Sequence, residues 1–89
     1  MSGGEVTSYI APWCGYSKKL LNDLETNKDM LASKNIKVNI VDCESPEGKP
    51  ICQANNVRGF PHTKDSCGND LGGWVAIDKF VEFAQSCPQ

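Results

Sequence analysis

The stretch that most constrains the fold runs from Val6 to Val41, where a strand pattern, a sharp turn, a helical pattern and a second strand pattern follow one another directly. Val6-Thr7-Ser8-Tyr9-Ile10 is short and β-rich. It leads straight into Ala11-Pro12-Trp13-Cys14-Gly15, after which Leu20, Leu21, Leu24 and Leu31 recur at helical spacing, with Asn22, Asp23, Glu25 and Lys28 on the other side. Ile36, Val38 and Ile40 then alternate with Lys37 and Asn39, the period of a strand with one buried face. A β-α-β unit of this kind closes by a right-handed crossover, so its two strands are expected to be parallel neighbours. Asn27 to Asp29 is a candidate interruption of the helix, whose end the pattern alone does not define.

Downstream, Ser45-Pro46-Glu47-Gly48-Lys49-Pro50 combines a candidate N-cap, two prolines and a glycine, and predicts a loop entering a short helix from about Pro50 to Asn55. Proline loses no hydrogen bond there, because the first N–H groups of a helix are unpaired in any case. Val57-Arg58-Gly59-Phe60-Pro61 leaves that helix. His62 to Ser66 and Leu71 to Val75 read as short strands around a Gly68-Asn69-Asp70 turn, the second weakened by Gly72-Gly73. Ile77, Phe80, Val81 and Ala84 form a last helical stripe, with Pro88 as its stop. The predicted order is β-α-β-α-β-β-α, an α/β domain built on a mixed four-stranded sheet.

With 89 residues there is material for one domain, 1–89, and none for separate cofactor and substrate halves. No apolar run approaches the roughly 18 residues that cross a bilayer, so no membrane association is expected. Nine Lys and Arg against eleven Asp and Glu leave no basic excess to neutralise phosphates, which argues against nucleic acid as a partner. The first residues show neither the basic start nor the apolar core of a signal peptide, and a cytoplasmic monomer is expected. Five cysteines cannot all pair, and their successive spacings of 29, 9, 15 and 20 residues contain no close pair of zinc-knuckle type, so no metal site is expected. Cys43 and Cys52 read as buried apolar fillers. Cys67 and Cys87 read as exposed positions, where a secondary disulfide stays open.

Cys14 is the candidate for chemistry. It follows a strand and opens a helix, where unpaired N–H groups and the positive end of the helix dipole favour the thiolate, the nucleophilic form. Lys18, one turn later, adds a cation. The plainer reading, a small buried apolar residue, is disfavoured by Pro12-Trp13 before it and Gly15 after it, which turn the sulfur toward solvent.

Ala11-Pro12-Trp13-Cys14-Gly15-Tyr16-Ser17-Lys18-Lys19 resembles the A-P-W-C-G-x-C-K active-site motif of the thioredoxin and protein disulfide isomerase families, with serine in place of the second cysteine. Val57-Arg58-Gly59-Phe60-Pro61 is similar to their V-R-G-[FY]-P loop. The resemblance spans essentially the whole chain, beginning at what would be the second strand of a thioredoxin, and implies a minimal, glutaredoxin-sized thioredoxin fold. It further implies a thiol-disulfide oxidoreductase in which Cys14 attacks protein disulfides, Lys18 assists, and Ser17 occupies the resolving-cysteine position. Trp13, Tyr16, Gly59, Phe60, Pro61 and Gly73 would then receive the substrate, with Pro61 in the cis form and Phe60 offering its backbone to a peptide strand.

Ser17 changes the mechanism, since a hydroxyl cannot attack the mixed disulfide and an external thiol must. Two readings stay open. One is a natural monothiol enzyme, similar to glutaredoxins with C-G-F-S or C-S-Y-S sites, using glutathione as co-substrate for deglutathionylation or for carrying a [2Fe–2S] cluster. The other is a dithiol site in which serine has been introduced to arrest catalysis or trap a partner. No resident cofactor is expected in either. The glutathione-holding segments of glutaredoxins are matched here only by Gly72-Gly73. The buried carboxylate that thioredoxins and disulfide isomerases carry six residues before the first cysteine is replaced by Ser8. His62, directly after Pro61, is either a cation that lowers the Cys14 pKa or a strand-end surface histidine; Trp74 is either rim or packing.

Overall fold

Parallel pairing of the two strongest strands organises the molecule. In the computed structural model, which describes residues 3–87, β1 (Gly4–Ile10) lies parallel to β2 (Ile36–Asp42). The register sets Val6 against Val38 and Ile10 against Asp42. The crossover between them is helical but broken: α1 (Gly15–Thr26) ends at Asn27 and α2 (Lys28–Ser33) begins after it. Asn27 makes the break by local bonding. Its backbone N–H and side-chain amide both donate to the Asp23 carbonyl, an alternative that short amide side chains offer the backbone. The interruption expected from the sequence is thus present, and the chain resumes its helix one residue later.

Ser45, the candidate N-cap, instead holds the turn before the next helix, whose N-cap is Glu47. The Ser45 hydroxyl accepts the Gly48 N–H at 2.9 Å and donates to the Asp42 carbonyl, so α3 (Gly48–Ala54) starts two residues earlier than predicted. Gly48 is required by contact, since a Cβ there would run into the Asp42 carbonyl oxygen. The hairpin β3 (His62–Asp65) and β4 (Asp70–Gly72) completes a sheet of order β2-β1-β3-β4, with β1–β3 and β3–β4 antiparallel. Asp65 organises its turn by accepting the N–H groups of Cys67 and Asn69 and the Asn69 amide. Burial pushes the Asp65 carboxyl up, but these bonds outweigh it and hold the group below the usual carboxylate range. β4 is shorter than the predicted Leu71–Val75 because Gly73 takes a left-handed conformation at φ +78°, which turns Trp74 and Val75 out of the ladder. The helix α4 (Ile77–Gln85) returns across the sheet; Pro88, its expected stop, lies outside the described residues.

Side-chain alternation decides what each face carries. Val6 and Ile36 point to one face and meet Leu20 and Leu24 of α1, Leu31 of α2, and Phe80, Val81 and Ala84 of α4 in the main core. On the opposite face Tyr9, Cys43 and Cys52 form a second cluster with Val41, Val57 and Phe60. Cys43 and Cys52 are not the free apolar fillers expected: they are disulfide-bonded and tie the end of β2 to α3. Cys67 and Cys87 are also bonded, tying the hairpin turn to the residues just after α4. Cys67 is exposed as expected, whereas Cys87 is buried. Which cysteines meet depends on how the turns between them fold, so spacing alone did not define the partners. No helix among the described residues is long and apolar enough to cross a membrane.

Candidate active site

The site lies where β1 ends and α1 begins. Ala11 is fully buried, and the Cys14 N–H donates to its carbonyl at 3.0 Å, closing a turn that leaves Pro12 and Trp13 exposed. Cys14 is the N-cap of α1, extended at φ −83° and ψ 124°, and its carbonyl accepts the Lys18 N–H in the first helical bond. Among the described residues no side chain caps this end. The first-turn N–H groups are therefore left for the sulfur. The Ser17 backbone N–H lowers the Cys14 pKa most, partial desolvation opposes it, and the Tyr16 N–H and the Ser17 hydroxyl add to the lowering. Cys14 is also the one free cysteine among the described residues, the other four being paired.

Ser17 is fully buried and serves two neighbours at once. Its oxygen accepts the Ala11 N–H at 3.2 Å, while its hydroxyl stabilises the Cys14 sulfur. Below the turn Ser8, also fully buried, shares a 2.8 Å hydrogen bond with the Thr63 hydroxyl. The position expected to lack a buried carboxylate is thus a neutral hydroxyl pair, with no ionisable group to move a proton.

The second segment arrives from α3. The Phe60–Pro61 peptide is cis, as the resemblance implies, and Pro61 is buried. The Cys14 thiol donates to the Phe60 carbonyl at 3.6 Å. Trp13, 66% exposed, meets the half-buried Phe60 ring edge-on at 5.8 Å between centroids. Gly73 contributes its backbone, donating to the Pro61 carbonyl at 2.8 Å, which ties the turn after β4 to this loop. Gly59 and Tyr16 are exposed beside these contacts, Tyr16 at 61%.

Cys14, Ser17, Phe60, Pro61, Trp13 and Gly73 are therefore brought together, and Lys18 projects to solvent one turn from Cys14. His62 is not among the groups that set the Cys14 pKa. Its ring pairs with Asp70 at 3.0 Å and lies against Tyr9, because its register opposite Tyr9 sends it to the second face of the sheet. Trp74 is packing rather than rim: its indole donates to the Asp23 carboxylate at 2.8 Å, and the Lys19 ammonium sits 3.9 Å from the ring centroid. The cluster of Asp65, Cys67 and Cys87 gathers ligand-type atoms within 4.8 Å, but both sulfurs are spent in a disulfide and the carboxylate in the turn. Sequence reasoning missed the Cys43–Cys52 bond beneath Phe60; its signal was the short Ser45 turn that folds α3 back onto the end of β2.

The thioredoxin family model matches residues 3–73, which contain the whole site and all four strands. The chain belongs to the thioredoxin family. Curated relatives of this thioredoxin-family domain include protein disulfide-isomerase 1 of Dictyostelium discoideum, 33% identical over 81 residues, covering 84% of this chain and 22% of that protein. A protein disulfide-isomerase-like protein of Emiliania huxleyi is 33% identical over 84 residues, covering 88% of this chain and 37% of its own length. The domain thus spans well under half of either relative. Among solved structures, chloroplastic thioredoxin z superposes with a TM-score of 0.76 at 19% identity, over 96% of this chain and 78% of that one. A malaria parasite thioredoxin-2 superposes at 0.73 with 14% identity, over 97% and 84%. These structural likenesses show the shared fold.

The pKa lowering gives a direct expectation. Alkylation of Cys14 by iodoacetamide, followed by intact mass as a function of pH, should have its midpoint below the usual thiol value of about 8.5. Ser17→Ala, which removes the hydroxyl but keeps the backbone N–H, should raise that midpoint without restoring it to the usual value. A midpoint at or above 8.5 in the unaltered domain would show that the helix end does not stabilise the thiolate.

Proposed function

We propose that this domain is a monothiol form of thiol-disulfide oxidoreductase acting on protein disulfides. The observation that carries the reading is one free, thiolate-favoured cysteine at a helix N-cap, facing a backbone carbonyl beside a cis-proline, with a hydroxyl where a second thiol would stand. The Cys14 thiolate attacks one sulfur of a client disulfide; the Cys14–client bond forms as the client S–S bond breaks, and the second client sulfur leaves as a thiolate. Cys14 is then oxidised and half of the client reduced. Ser17 has no thiolate to offer, so the intermediate lasts until an external thiolate attacks it or the client's own displaced thiolate returns to reverse the step. Attack on the client sulfur returns Cys14 as a thiolate, and attack on the Cys14 sulfur releases the client as a thiolate.

Trp13, Tyr16 and Gly59 are the exposed contacts for the client and Phe60 a half-buried one, with Lys18 exposed one turn after Cys14. The names of the relatives point the same way, toward disulfide exchange on proteins. Glutathione is proposed only as one candidate for the external thiol. We also propose an oxidising setting in place of the cytoplasmic one expected from the sequence, because cytosolic thiol pools keep cysteines reduced and this chain closes two disulfides.

The test is covalent capture. Incubated with a disulfide-bonded protein and no added thiol, the domain should gain one client mass at Cys14, and excess glutathione should release it; Cys14→Ser should capture nothing. Failure of the unaltered domain to form the adduct would overturn the proposal. Steady turnover of a glutathionylated peptide through a Cys14–glutathione adduct, without client capture, would replace it by glutathione-dependent deglutathionylation.

A further inference from the structure

The turn after β4 is tied to α1 by side chains that the exchange chemistry does not use. Residues 73–76 run from β4 to α4 outside any ladder or helix, and the left-handed Gly73 turns Trp74 away from the strand. The Trp74 indole N–H donates to the Asp23 carboxylate at 2.8 Å, and the Lys19 ammonium lies 3.9 Å from the centroid of the same ring. Lys19 and Asp23 are one helical turn apart, so a single stripe of α1 supplies both contacts. Asp23 is itself fixed, because its carbonyl accepts the backbone N–H and the side-chain amide of Asn27 at the break between α1 and α2. Asp23 and Trp74 are both half-buried, where partial exclusion of water strengthens a hydrogen bond to a charged acceptor.

These contacts belong to a circuit that passes through the attacking sulfur. The Cys14 thiol, at the start of α1, donates to the Phe60 carbonyl at 3.6 Å, and Phe60 leads directly into Pro61. The Pro61 carbonyl accepts the Gly73 N–H at 2.8 Å; the next residue, Trp74, returns to α1 at Asp23. Helix α1 closes the circuit. The ladder contributes little to holding the Gly73 turn, since β4 is an edge strand of three residues paired only with β3. Trp74 and Val75 pack against the main core, and the indole bond adds a fixed direction to that packing.

We propose that Asp23 and Trp74 are positioning residues for client capture: their bond holds the Gly73 turn, and with it the Phe60–Pro61 segment, in the placement from which a client polypeptide is attacked. This rests on Cys14 being the attacking thiol and on Gly59, Phe60 and Gly73 receiving the client. Neither positioning residue touches the sulfur. A small disulfide needs the sulfur alone and is insensitive to the bond. A polypeptide must lie on the Phe60–Pro61 segment and on Gly73 while its disulfide meets Cys14, so it loses orientation when the two move relative to each other. The exchange step is the one already given: the Cys14–client bond forms as the client S–S bond breaks, and the second client sulfur leaves as a thiolate.

The experiment follows mixed-disulfide formation at Cys14 by intact mass, well below the unfolding temperature, with two probes. One is hydroxyethyl disulfide, and the other is a disulfide-linked peptide dimer with apolar residues flanking its cysteine. Trp74→Phe keeps a ring for the core and for Lys19 but has no N–H; it should slow the peptide about tenfold and leave hydroxyethyl disulfide as it was. Asp23→Asn keeps an oxygen acceptor and should retain most of the peptide rate. Asp23→Leu should match Trp74→Phe, and the two combined should be no slower than either, as one shared contact requires. Slowing of both probes alike, or of neither, in Trp74→Phe would overturn the positioning role, since simple packing lowers the urea midpoint without separating the probes. An unaltered domain that reacts with hydroxyethyl disulfide but not with the peptide would overturn the protein-disulfide reading and the positioning role with it. No reaction with either probe would overturn the assignment of Cys14 as nucleophile.

Discussion

Ser17→Cys is expected to shorten the lifetime of the Cys14 mixed disulfide by about 100-fold or more, since a thiol held beside the intermediate reacts at an effective concentration far above that of a free one. The buried Ser17 hydroxyl already interacts with the Cys14 sulfur, so a thiol at this position starts within reach of the bond it must break. Its attack would form a disulfide between Cys14 and the introduced thiol and release the client as a thiol. The substitution removes a hydroxyl acceptor from the Ala11 N–H, a loss of about 1 kcal/mol that the fold can absorb. Quenched-flow samples read by intact mass would show the client adduct appear and vanish without added thiol. An adduct as long-lived as with serine would mean that position 17 does not reach the intermediate, and that the hydroxyl serves only to hold the turn and tune Cys14.

Loss of the two disulfides is expected to remove much of the stability of so short a chain. Loop closure over the 20 residues between Cys67 and Cys87 corresponds to about 3.3 kcal/mol. The 9 residues between Cys43 and Cys52 correspond to about 2.6 kcal/mol. A domain of 89 residues has roughly 4–13 kcal/mol in all. Urea unfolding of the paired variants Cys67→Ala with Cys87→Ala, and Cys43→Ala with Cys52→Ala, would measure each. The second pair carries an added expectation, because that disulfide packs with Val57 and Phe60: its removal should slow client capture at Cys14 as well as lower the unfolding midpoint. A drop below about 1 kcal/mol for both pairs would show that packing alone holds the α3 and α4 ends.

Two hydroxyls mark where the chemistry of this domain parts from a dithiol site. Ser8 lies in β1 two residues before Ile10, buried and satisfied by Thr63, and Ser17 is buried and satisfied by Ala11. Among the described residues no buried side-chain nitrogen or oxygen lacks a partner, so both serines are integral to their surroundings. A thiol at position 17 would therefore be resolved without a buried carboxylate to take its proton, and water or the released client thiolate is left to do so.

How much of this was legible beforehand differs by element. The β-α-β unit and the amphipathic α4 follow from periodicity, which is local: alternation and the helical stripe report which side of each element is buried, whatever it is buried against. Cys14 at a strand-to-helix junction was likewise readable, because its activation comes from the unpaired N–H groups of its own helix. The ends of α3 and β4 were displaced by one to three residues, since the Ser45–Gly48 bond and the left-handed Gly73 are settled by single bonds and single dihedral angles. What only the tertiary structure decided are the meetings between different elements: Cys43 with Cys52 and Cys67 with Cys87, the Phe60 carbonyl with the Cys14 sulfur, Trp74 with Asp23 rather than the rim, and His62 with Asp70 rather than the thiol. Sequence patterning encodes the burial of each element by itself, whereas these pairings depend on strand register and on which turn folds over which edge, relations that no single segment contains.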